Sequence, residues 1–279
     1  MSAESFITIV FLPLFFSPVD SNLFSFPFRL FLLALWAALT VAARLGGQAL
    51  ADYWIARGKM QADQKNYSKA RGYYRAAIFC CPVPKIYVKR GLFLANFSQY
   101  SLALRDFDQA LILDDQYAYG YCCRGFTYNV VGEYQKALAD LDRSIALDPT
   151  YGRAYNNRGV SHLNLGDEVK ALADFDRAIS CDPRLSRAYY NRGHIFLTRN
   201  NYAFAIDDFD RAIALDPHYA RAYYDRGVSY WQGSQDSWKV WSDLNTALRL
   251  GLDSSTAQTA ESVLSKLDLE IKARPFMAA

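Results

Sequence analysis

The chain has 279 residues, 52% of them hydrophobic and 21% charged, a balance that excludes a globally disordered polypeptide. Thirty-one Lys and Arg against 28 Asp and Glu leave a formal net charge of +3, so no global field selects nucleic acid and an electrostatic partner has to read a local patch. The five cysteines (Cys80, Cys81, Cys122, Cys123, Cys181) and three scattered histidines (His162, His194, His218) match neither a disulfide framework nor a zinc-site spacing, so no metal is expected.

Residues 1–49 differ in kind from the rest of the chain. Phe6–Phe16 and Leu30–Ala43 are apolar with almost no charge, the first run broken by Pro13 and the second approaching spanning length only if Arg29 snorkels to the interface. Three readings compete: a membrane anchor or helical hairpin, a cleaved export signal ending at the small residues Val41–Ala43, or a buried cap of the downstream domain. Arg44, Arg57 and Lys59 come after the second run while nothing basic precedes Arg29, which places an anchored chain's remaining residues in the cytoplasm. Unpaired cysteines agree with a cytosolic face, whereas cleavage near Ala43 would export the protein.

From residue 50 a period of 34 takes over. The dipeptide Arg-Gly recurs at Gly58, Gly91, Gly125, Gly159, Gly193 and Gly227, 34 apart except for a first step of 33. Four residues before each Gly stands an aromatic: Trp54, Tyr87, Tyr121, Tyr155, Tyr189, Tyr223. Twelve after it comes Ala70, Ala103, Ala137, Ala171 or Ala205, and then a bulky residue, Tyr74, Phe107, Leu141, Phe175 or Phe209. Small residues come next at Ala77, Ala110, Ser144, Ala178 and Ala212, then Pro82, Pro149, Pro183 and Pro217. Each unit reads as two helices separated by a break at Gly132, Gly166 or Asn200, with the small residues letting the pair approach and proline ending the second helix.

This spaced set resembles the tetratricopeptide repeat family over residues 50–252. The resemblance implies an all-α fold: a right-handed α-α superhelix, or solenoid, of six helical hairpins whose first helices line a concave groove. Asp115 departs from the pattern at a proline slot, and the sixth copy carries one extra residue, with Val240 and Leu252 in the Ala and Pro slots. Residues 253–279 add an amphipathic helix with its stripe on Ala260, Val263, Leu264, Leu267 and Ile271, expected to cap the stack.

Members of the family bind peptides or partner helices, so a partner-binding groove is read down columns. Arg153, Arg187 and Arg221 form one, with Lys85 in the second unit; beside it lie Asn156, Tyr190 and Tyr224, then Asn157 and Asn191, and further along Trp231. Guanidinium groups at successive heights among Tyr and Asn suit an extended protein client with acidic groups. The competing reading pairs these arginines with Asp148, Asp182 and Asp216. A carboxylate clamp of the kind found in chaperone-binding members is not implied, because its early slots hold pairs such as Ile55 and Lys59, Val88 and Leu92, or Cys122 and Phe126. The Arg of every Arg-Gly pair is expected to meet one of two Asp sets, Asp106, Asp140, Asp174 and Asp208 or Asp108, Asp142, Asp176 and Asp210, and to stabilise its hairpin. No phosphate loop, nucleophile elbow or clustered carboxylates and histidines support catalysis or a cofactor. The expectation is a membrane-tethered, non-catalytic adaptor, with an exported adaptor and a solenoid for single-stranded nucleic acid as alternatives.

Overall fold

The computed structural model describes residues 46–233 and 236–273. Among them are thirteen helices and no strand. They are α1 (Gly47–Asp63), α2 (Tyr67–Cys80), α3 (Pro84–Asn96), α4 (Tyr100–Leu113), α5 (Ala118–Val130), α6 (Tyr134–Leu147) and α7 (Gly152–Asn164). Then come α8 (Glu168–Cys181), α9 (Ser186–Thr198), α10 (Tyr202–Leu215), α11 (Ala220–Gly233), α12 (Ser237–Leu250) and α13 (Ser254–Ala273). The anchor, signal and cap readings of the N-terminus fall, up to residue 45, outside the described residues. No described helix is long and apolar enough to cross a membrane.

Helices α1 to α12 make six hairpins, α1 on α2 through α11 on α12. The second helix of every hairpin after the first buries a stripe at i, i+3, i+4 and i+7: Ala103, Asp106, Phe107 and Ala110 in α4, and Ala171, Asp174, Phe175 and Ala178 in α8; in α2 the stripe is Ala70, Tyr74 and Ala77. The first helix meets that stripe at its glycine. A Cβ on Gly159 would lie 2.6 Å from the Phe175 ring, and one on Gly91 2.5 Å from that of Phe107, so the ring occupies the space a side chain would need. Between the helices one residue turns left-handed: Lys65, Ser98, Gly132, Gly166 and Asn200 have φ of 57–83°. Two of the five are glycine, the residue that takes this conformation without a steric cost. Helices α6, α8 and α10 each end at an extended Asp (Asp148, Asp182, Asp216) that precedes a proline, the conformation a proline imposes on the residue before it.

Packing divides the chain into two units, the first ending at Asp115 and the second beginning at Gln116. The boundary falls where Asp115 stands in the proline slot. In the first unit α2 packs on α3 and the core gathers Ala51, Ala77 and Ile86, with Tyr74 and Phe93 in ring contact at 4.9 Å. In the second, hairpins α5–α6 through α11–α12 stack in order, and α13 lies on α12. Ala260 and Leu267 of α13 join Val240 and Leu244 in one buried cluster, flanked by Val263 and Leu264. The cap is as the amphipathic stripe implied; the side chain of Ile271 lies outside the described residues.

A ladder of ion pairs ties the hairpins together. Arg158 Nε and Nη2 donate to Asp174 at 2.9 and 2.7 Å within one hairpin, while Nη1 donates to Asp142 of the preceding hairpin at 2.7 Å. Arg192 repeats this with Asp208 and Asp176, and Arg226 with Asp243 and Asp210. Both expected Asp sets are therefore used, one inside the hairpin and one beneath it. A carboxylate buried as deeply as Asp174, whose side chain is 7% exposed, is tolerated because the guanidinium satisfies both its oxygens. Each guanidinium also lies over the aromatic of its own first helix, as Arg158 over Tyr155 at 5.4 Å.

Candidate binding face

In the second unit the first helices α5, α7, α9 and α11 contact one another in sequence, and a polar seam runs through them. Asn129 Nδ2 donates to the Asn157 carbonyl at 2.8 Å, and Ser161 Oγ to Asn129 Oδ1 at 2.6 Å. Asn191 Nδ2 donates to Asn156 Oδ1 at 2.9 Å, joining α7 to α9. His194 Nδ1 lies 3.2 Å from Asp225 Oδ2, joining α9 to α11. Hydrogen bonding to Asp225 raises the His194 pKa above its ordinary value against the opposing effect of burial. No buried side-chain nitrogen or oxygen among the described residues lacks a partner.

Above this seam stand the arginines. Arg153, Arg187 and Arg221 are exposed, each in the first turn of its helix and 34 residues from the next. Arg153 and Arg187 make no ion pair among the described residues, so a carboxylate from outside meets no competitor among them. The competing pairing does not form: Asp148, Asp182 and Asp216 instead accept from the backbone N–H of Thr150, Arg184 and His218 in their own turns. Arg221 reaches Asp253 at 3.1 Å, and Asp253 also caps α13 by accepting from Thr256 N. Hydrogen bonds from Ser255 and Thr256 hold that carboxyl well below the usual range.

The other expected groove residues divide by environment. Lys85 is exposed in the first unit. Asn156 is buried at 5% exposure, its amide oxygen bonded to Asn191, and Asn157 Nδ2 faces Cys122 Sγ at 3.4 Å, so these amides serve the seam first. Tyr190 is half-buried, packed 4.7 Å from Tyr219 with its ring near His194. Tyr224 and Trp231 pack against the cluster that α13 closes, so part of their surface is already covered.

The column reading missed tyrosines that neighbour the arginines. Tyr119 and Tyr151 stack edge-on at 6.4 Å, and Tyr219 meets Tyr190. Burial raises the Tyr151 hydroxyl well above its ordinary value, and the charge of Arg153 pulls it back. Burial likewise pushes Tyr219 up to about 12, opposed by Arg187 and Arg221. Tyr119 lies 34 residues before Arg153, and Tyr151 68 before Tyr219, so the same period would have found them. Cys122 and Cys123 are buried, their thiols pushed up to about 11 and about 12 by that burial, and are packing groups held protonated.

Residues 152–185 and 186–219 match the family model described as tetratricopeptide repeat. Among solved structures, the chain is similar to the Cut9–Hcn1 hetero-tetramer of the APC/C at TM-score 0.69 and 19% identity, covering 82% of this chain and 45% of that one. This chain thus spans under half the length of that relative. It is also similar to PilF of Pseudomonas aeruginosa, at TM-score 0.64 and 17% identity, covering 78% of this chain and 99% of that one. A tetratricopeptide repeat protein from Parabacteroides merdae gives TM-score 0.62 and 20% identity, with 84% and 92% covered. At these identities the likeness is one of fold. No curated protein sequence matches the chain.

Proposed function

We propose that this chain, a tetratricopeptide-repeat protein, is a membrane-tethered, non-catalytic scaffold that holds an extended acidic segment of a client protein along α7, α9 and α11. The observation that carries the reading is the pair Arg153 and Arg187, exposed at one repeat's spacing over a floor of tyrosines and satisfied amides. A guanidinium grips a carboxylate through two parallel hydrogen bonds, and the tyrosines supply contact area at small entropic cost. Because the seam is already hydrogen-bonded, the face is ordered before a ligand arrives, which lowers the ordering cost of binding. Tethering rests on the apolar runs Phe6–Phe16 and Leu30–Ala43 with the basic residues that come after them.

The test uses the full chain in detergent and a fluorescent glutamate-rich peptide as probe. Arg153→Glu with Arg187→Glu is expected to abolish the anisotropy signal while leaving helicity and melting unchanged, since neither side chain makes an ion pair among the described residues. Unchanged capture overturns the assignment of this face. For the tether, the N-terminal sequence of the mature protein from fractionated cells is read. An intact terminus in carbonate-resistant membranes is expected; a chain beginning near Arg44 in the exported fraction overturns the tether and leaves the face untouched.

A further inference from the structure

The Arg–Asp ladder reverses sign at its first rung. In α4, α6, α8 and α10 the same repeat slot holds Asp108, Asp142, Asp176 and Asp210; in α2 it holds Arg75. Arg90 accordingly has one carboxylate partner among the described residues, Asp106, where Arg158, Arg192 and Arg226 have two. One turn before Arg75, Arg71 replaces the Leu104, Leu138, Leu172 and Ile206 of later copies, and on α4 Arg105 stands where later copies have Ala139 and Ala173. Arg71, Arg75 and Arg105 are exposed and make no ion pair among the described residues. Together with Arg90 and its partner Asp106 they line one cleft of 280 Å³ over Leu94 and Leu102, in which four guanidinium groups face a single carboxylate already paired to Arg90.

A second cleft of 420 Å³ adjoins it through Arg71 and Leu94 and is walled by Tyr67, Phe93 and Phe97. Polar and apolar halves thus meet at Arg71. On the open face of α2, Tyr67 and Phe79 are 42% and 78% exposed at either end of the arginines. Residues 46–90 carry nine Lys and Arg against two Asp, so this stretch, next to the apolar N-terminal runs, is by itself more positive than the whole chain at +3.

We infer that this first-unit cleft binds the phosphate of an anionic lipid headgroup, with the acyl chain along Phe93 and Phe97 and the phosphate beside Arg90 in place of the carboxylate that later hairpins supply. An inorganic phosphate would use the arginines and leave the apolar cleft idle; an acidic peptide would do the same. The inference builds on the tethered reading, and its test separates the two.

Full-length protein in detergent is titrated with the water-soluble short-chain lipids dihexanoyl-phosphatidylglycerol and dihexanoyl-phosphatidylcholine, with inorganic phosphate and with a glutamate-rich peptide, while amide exchange is followed along α2 to α4. Phosphatidylglycerol is expected to slow exchange there at least about fivefold, the effect of one basic residue at an anionic surface, and high salt should remove the protection. The discriminating variant is Arg75→Asp, which installs the carboxylate that Asp142 and Asp176 provide elsewhere. It should melt no lower than the parent and lose the phosphatidylglycerol response. Equal protection by phosphatidylcholine, by phosphate or by the peptide, or a response that survives Arg75→Asp, overturns the inference. Flotation of the parent chain with neutral phosphatidylcholine vesicles reports the tether separately, because the short-chain lipids need no membrane.

Discussion

Gly159 and Gly72 both sit inside helices, and their surroundings make opposite demands. A Cβ at Gly159 would press into the Phe175 ring at 2.6 Å, whereas one at Gly72 meets nothing within 4 Å. Gly159→Val is therefore expected to lower stability by about 2–3 kcal/mol through overpacking. Gly72→Ala should raise it by about 0.5–1 kcal/mol by removing backbone freedom from the unfolded chain. Urea titrations followed by circular dichroism check both. Equal effects at the two sites would contradict the close crossing. The two residues are the same letter in a sequence, but only Gly159 occupies the repeated slot, which is why its role was legible and why Gly72, outside every slot, could be set aside.

At the scale of the element, α13 is the piece whose removal says most. Leu267 is 1% exposed within a cluster that joins α11, α12 and α13, so Leu267→Ala should cost about 2–4 kcal/mol. A chain ending at Asp253 should expose Val240 and Leu244 and associate, visible as an increase in mass by light scattering. The helices themselves were readable from the 34-residue period, and the stripe on Ala260 to Leu267 announced the cap. The ladder was readable only as a pair of choices. Arg158 has Asp142 sixteen residues before it and Asp174 sixteen after it, so spacing alone does not say which it meets, and the structure uses both. The seam was less visible. Asn156 and Asn191 stand in neighbouring columns that a peptide groove would use, and nothing in their spacing shows that their amides bond to each other first. Tyr224 and Trp231 read as groove lining because the cap's seat on them depends on three-dimensional packing rather than on the period.

For the molecule as a whole, two packed units in one chain imply that unfolding is not a single two-state event. In the first hairpin Arg57 donates to the Tyr53 hydroxyl at 3.1 Å and, among the described residues, makes none of the ion pairs that later copies give their arginines. Residues of α1 and α2 are expected to exchange amide protons well before those of α7 to α10, and the calorimetric enthalpy should exceed the van't Hoff value. Coincident exchange along the chain, with equal enthalpies, would contradict this. The same rungs also bear on how such a chain changes length. Arg226 contacts Asp210, and Asp176 holds the equivalent place one hairpin earlier. Excising the 34 residues 186–219 would bring Arg226 to Asp176 with the ion pair intact, whereas a cut that is not a whole multiple of 34 would leave the downstream arginines out of reach of their carboxylates. The extra residue of the last hairpin lies between Arg226 and Asp243, where no later rung depends on it. Between the rungs of Arg158, Arg192 and Arg226, insertions and deletions are thus admissible only as whole modules, and under the proposed function the length of client the face can span would change in the same discrete steps.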